Sequence, residues 1–159
     1  MSVGDVKPPR LEAGERDTLL TLLQYQRESV VRKLDGLTEA DARSSTVESG
    51  TSLLWLVKHL TRAEALWVVR RFAARDEGLE SDVLEGGDTV ASVIAGYQEG
   101  WELVDDIVDR HSLDDVAAEL EGLSPVNLRW ILMHLLEETA RHAGHADMLR
   151  EQLDGEIGR

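Results

Sequence analysis

The chain has 159 residues, enough for one globular domain with a core of its own. Hydrophobic residues make up 42% of it, which is not the composition of a disordered chain. Lys and Arg number 17 against 31 Asp and Glu, and a net charge of -14 repels phosphate backbones and anionic lipid, arguing against nucleic acid and membrane partners.

Pro8 and Pro9 mark an extended N-terminal arm over residues 1–13, ahead of a helical domain over residues 14–155. From Gly14, the run ERDTLLTLLQYQRESVVRKLDG predicts a helix with Leu19, Leu20, Leu23, Val30, Val31 and Leu34 near helical spacing. Asp35-Gly36 ends it. The connector LTEADARSSTVESG carries a short helical turn at Thr38–Ala42. A second long helix is expected from Thr51 to Ala74, with Arg70, Arg71 and Arg75 near the C-terminal end, where cations suit the helix dipole. Residues 76–88, with Gly78, Gly86 and Gly87, predict an acidic loop.

The third helix runs from Thr89 to His111 on a stripe of Val90, Val93, Ile94, Tyr97, Trp101, Val104 and Val108. Gly96 and Gly100 lie within it, each costing about 1 kcal/mol of helix preference against Ala, and are expected to let a neighbouring helix come close. Ser124-Pro125 predicts a cap followed by proline at the first position of a fourth helix, which runs to Leu153 and stops at Asp154-Gly155. Four amphipathic segments without a strand pattern make an all-α four-helix bundle. No stretch approaches the roughly 20 apolar residues that span a bilayer. The N-terminus lacks the apolar region of a secretory signal, so a cytoplasmic address is expected. There is no cysteine, which excludes disulfides, thiolate metal sites and a cysteine nucleophile.

The informative break in pattern lies in the fourth helix. Steps of three and four residues give Leu128, Ile131, Leu135, Glu138, His142, His145, Leu149 and Gln152. A glutamate and two histidines thus occupy core positions, where an ionised carboxylate costs several kcal/mol unless a partner faces it. Glu138 and His142 are one turn apart and can reach a single point. His59, on a stripe of Ser52, Leu56, Ala63 and Leu66 in the second helix, can complete a three-ligand metal site with positions left open. Spacing leaves alternatives: His134 and His145 lie one turn either side of the pair, and Glu138 could instead pair with Arg141 or Arg129. Arg62, Arg129 and Arg141 could meet an anionic substrate or be ordinary solvated charges. Trp55, Trp67, Trp101 and Trp130 could line a pocket mouth or belong to the core.

The segment RWILMHLLEETARHAGHADMLREQLDG closely resembles the last helix of the DinB-like superfamily, in particular its DUF664 branch, and SLLWLVKHLTRAEALWV resembles that branch's second helix. The likeness covers nearly the whole chain. It implies an up-down-down-up four-helix bundle, a homodimer, and a metal triad whose first ligand matches His59 within VKHL. The other two ligands match Glu138 and His142, where many members carry two histidines. A His, Glu, His set is the version in mycothiol-dependent maleylpyruvate isomerase, a relative. His145 then takes the place of a family glutamine and stands behind the ligands, with a role in proton transfer if it lies within reach. His134 has no ligand role.

The resemblance also implies chemistry. Active relatives transfer low-molecular-weight thiols such as mycothiol, bacillithiol or glutathione. The expected reaction joins a metal-bound thiolate to a small electrophile, such as an epoxide, haloalkane or activated alkene. Zinc is the expected ion, with iron(II) compatible with the same ligands and nickel or manganese able to load in their place. A metal-binding or stress-response protein without turnover, and an interaction domain whose metal serves only stability, are the other readings.

Overall fold

The computed structural model describes residues 6–157. Residues 1–5 of the expected arm lie outside the described residues, and residues 6–14 carry no regular structure. The helices are α1 (Glu15–Arg32), α2 (Glu39–Arg43), α3 (Leu53–Glu64, continued by a π-helical stretch Ala65–Phe72), α4 (Val90–Asp109) and α5 (Leu128–Asp154). Among the described residues there is no strand, only an isolated antiparallel bridge between Val116 and Asn127. Among the same described residues, no helix is long and apolar enough to cross a membrane.

Contacts at the helix ends give the directions. Arg129 of α5 pairs with Glu15 of α1 at one end, and Arg150 donates to the Lys33 and Asp35 carbonyls at the other, so α1 and α5 run parallel. Lys58 pairs with Asp88 just before α4, and Phe72 packs on His111 just after it, so α3 and α4 also run parallel. Arg27 in α1 bonds Glu64 in α3. Leu19 and Leu23 pack with Val68 to Phe72, while Val30 and Leu34 pack with Leu53 to Leu60, which makes α1 and α3 antiparallel. The topology is up-down-down-up, as the resemblance implies.

The buried residues fall into two apolar clusters stacked along the bundle. Arg27 lies between them on α1, Glu64 on α3 and Thr139 on α5, all within 3% exposure. Arg27 binds Glu64 with two hydrogen bonds of 3.0 and 2.6 Å and reaches Asp105 at 3.0 Å. The Tyr97 hydroxyl donates to the same Glu64 at 3.2 Å. Burial works against the Arg27 charge, but Glu64 and Asp105 outweigh it and raise the guanidinium pKa. Burial also pushes the Tyr97 phenol well above its ordinary value, so it stays a donor.

Three expectations change. Helix two is not one α-helix from Thr51 to Ala74. Ser52 caps it, accepting from the Trp55 amide, and its last eight residues wind as a π-helix. The fourth helix is not capped by Ser124 with Pro125 as its first residue. Asn127 is the cap, accepting from the Trp130 amide at 3.0 Å. The reason is backbone pairing: Ala117 donates to the Val126 carbonyl, and Leu128 and Arg129 donate to those of Asp115 and Leu113, so residues 126–127 are held extended. Gly96 and Gly100 do not serve a close helix approach either. A Cβ at Gly100 would meet Thr61 at an ordinary 3.7 Å, and Gly96 borders open space beside a cavity of about 520 Å³ between α3 and α4. The C-terminal stop is as expected, with Gly155 in the left-handed conformation at φ 77°.

Glu64→Leu leaves the buried Arg27 with the half-exposed Asp105 as its one charged partner, beside the Gln24 amide oxygen, and should cost about 3 kcal/mol of stability in urea unfolding. The double variant Arg27→Met, Glu64→Leu should recover most of that loss, and a loss equal to the single variant's would refute the argument.

Candidate metal centre

α3 presents His59 toward α5, and α5 presents Glu138 and His142 from successive turns. The Glu138 Oε1 lies 3.5 Å from His59 Nε2 and 3.1 Å from His142 Nε2. One donor atom from each residue falls within 4.8 Å of the others, so the three can hold a metal ion. The side chains are 27%, 26% and 13% exposed, deep enough for a defined site yet reachable from solvent. Trp55, one turn before His59, stacks on its ring at 4.7 Å and 16°. The His142 ring meets that of His59 edge-on at 5.0 Å.

The outward nitrogens have neighbours too. His59 Nδ1 lies 3.0 Å from Asp82 Oδ2, and His142 Nδ1 lies 3.4 Å from His145 Nδ1. His145 therefore touches the centre only through His142. Asp82 sits in the acidic loop and was invisible to spacing arguments, because a loop has no period to break.

Burial opposes ionisation of Glu138, but His142 and His59 outweigh it and hold the carboxyl below its usual range. Burial pushes the His142 imidazole down, and the pull of Glu138 in the other direction does not cancel it. A neutral imidazole beside an ionised carboxylate is the state that binds a cation. The hydrogen bond from His59 holds the Asp82 carboxyl low as well. Two imidazole nitrogens and one carboxylate oxygen, with open positions, are a fitting set for zinc or iron(II).

Several sequence alternatives drop out. His134 lies away from the centre, stacked on Trp130 at 5.0 Å and edge-on to Trp67 at 4.9 Å. Arg129 pairs with Glu15 and Asp114, and Arg141 with Glu137, so neither neutralises Glu138. Arg62 donates to the Glu80 carbonyl. Of the four tryptophans only Trp55 stacks on a ligand of the centre. Trp101 packs on Tyr97 inside the bundle.

Residues 18–155 match the family described as MST, mycothiol S-transferase. The chain belongs to this family. Membership also places it in the DinB-like superfamily, and two solved structures agree on the fold. One is a DinB-like protein from Bacillus cereus ATCC 10987, 17% identical, with a TM-score of 0.69 over 86% of this chain and 91% of that one. The other is a conserved protein from Enterococcus faecalis, also 17% identical, with a TM-score of 0.65 over 91% and 99%. A comparison with curated proteins gives no match.

In the metal-free protein, His142 should titrate below the ordinary imidazole value of 6.5. Glu138→Gln removes the charge that pulls it up, so its midpoint should fall further, as read by NMR titration of the ring protons. The same shift makes unfolding take up a proton, so stability should decline as pH falls through about 6.5. A His142 midpoint that rises in Glu138→Gln would contradict this electrostatic account.

Proposed function

We propose that this protein is a metal-dependent thiol S-transferase that joins a low-molecular-weight thiol of the mycothiol type to a small electrophile. The observation that carries the reading is the convergence of His59, Glu138 and His142, inside a chain of the mycothiol S-transferase family. These three would hold a divalent cation, zinc being the best match to two histidines and one carboxylate with open positions. A cation there lowers the pKa of a thiol that reaches it and so supplies a thiolate at neutral pH.

The chain's own residues do the rest. Trp55 fixes the plane of the His59 ring, and the partial exposure of the three ligands leaves room for substrate. His145, against the outer nitrogen of His142, orients that ligand. The thiol proton passes to water as the thiolate forms; the sulfur then forms a bond to carbon while the electrophile's leaving group departs with the bonding pair, or an epoxide C–O bond opens and its oxygen takes a proton from water. The resemblance further supports a homodimer acting on small molecules.

Elemental analysis of untagged protein should find about one zinc or iron per chain, as one three-ligand site requires. His59→Ala and His142→Ala should lose it, with a lower melting temperature than loaded wild type. His134→Ala should keep it. Loaded protein should then consume mycothiol in the presence of an epoxide or haloalkane. No metal after soaking with zinc would sink the reading, and metal without turnover of any thiol would leave a binding protein of the same fold.

A further inference from the structure

We infer that Asp82 is a positioning residue for the metal centre: it holds His59 in the tautomer that aims a lone pair at the cation. The inference rests on the metal reading above and adds to it a residue from outside the helices. Asp82 Oδ2 lies 3.0 Å from His59 Nδ1, while the other nitrogen, Nε2, faces Glu138. A neutral imidazole carries one proton, and a carboxylate can only accept. Both nitrogens face carboxylates, but the Asp82 contact, at 3.0 Å against 3.5 Å to Glu138, is the closer, so it draws the proton to Nδ1 and leaves Nε2 free to ligate. Carboxylates placed in this way on metal-binding histidines fix ring orientation and raise ligand basicity.

The loop that carries Asp82 is fastened for this task. Lys58, the residue before His59, donates to the Val83 carbonyl at 2.8 Å and pairs with Asp88 at 2.6 Å. Arg62, one turn after Lys58, donates to the Glu80 carbonyl at 3.0 Å. Arg43 adds a bond of 2.8 Å to the Glu85 carbonyl. Cations flanking His59 along α3 thus grip the backbone on both sides of Asp82, and Trp55 restrains the ring from its face. The two histidine ligands are unequal as a result. His59 is backed by a carboxylate, His142 by another imidazole at the longer distance of 3.4 Å.

The test compares wild type with Asp82→Ala and Asp82→Asn by two readouts. Long-range proton–nitrogen NMR on histidine-labelled, metal-free protein should find the Nδ1–H tautomer at His59 in wild type. The Ala variant should give a mixture of tautomers or Nε2–H. Competition with a zinc chelator should show about a 10- to 100-fold loss of zinc affinity in Asp82→Ala, and a smaller loss in Asp82→Asn, whose amide oxygen can still accept. Melting of the metal-free variants should match wild type, since Asp82 is 29% exposed. An unchanged tautomer together with unchanged zinc affinity in both variants would overturn the role of Asp82. Failure of wild type itself to bind zinc would instead overturn the metal centre. The two failures are therefore distinguishable.

Discussion

The bundle depends on one buried ion pair. Arg27 and Glu64 meet between two apolar clusters that would otherwise be free to slide, because Leu on Leu has no preferred register finer than a helical turn. An ion pair taken out of water contributes little net stability, since desolvation of the charges offsets most of their attraction. It contributes discrimination: any sliding that parts the charges leaves both uncompensated in a low-dielectric interior. With the Tyr97 hydroxyl on the same carboxylate, α1, α3 and α4 are pinned at one level. His59 lies five residues from Glu64 on the same chain segment, so the pinning also fixes the height at which it meets α5.

α5 is placed independently, by guanidinium groups at its two ends. Arg129 holds its start to α1, and Arg150, 7% exposed, bonds the carbonyls that end α1. The helix that carries both anchors runs unbroken for 27 residues. Glu138 and His142 then need only their helical spacing to converge. The site is the crossing of two separately registered elements, with no loop supplying a ligand. This is the arrangement in which a coordination geometry can be held closely.

What could be read from the residues, and what could not, follows the same division. Glu138 and His142 stand out, together with His145, because a period of three and four makes a row of apolar positions against which a glutamate and two histidines are conspicuous; of the three, His145 is the exposed one. His59 stood out less, being one polar residue on a face that also carries Ser52. Arg27 and Glu64 went unnoticed, although they are more deeply buried than any ligand: long amphipathic side chains fit either a core or a surface pattern. The cap at Asn127 was missed because Ser124-Pro125 is the stronger local signal, and local signals know nothing of the backbone bonds that Leu113 to Ala117 impose. The π-helical end of α3 keeps the same hydrophobic residues inward as an α-helix would and leaves no trace in the pattern. Asp82 is one of several acids in its loop, and only the fold selects it.

The separation of the ligands along the chain has a kinetic meaning. His142 lies four residues from Glu138, but His59 lies 79 residues away from it. A newly made α5 could offer a cation two weak donors at once, whereas the third requires a long loop to be closed, at an entropic cost that ion binding to a half-formed site would not meet. Collapse of the two apolar clusters closes that loop first. The three residues therefore converge only after assembly of the bundle, and a chain still folding, or one cut between α3 and α5, would have little power to scavenge metal from its surroundings.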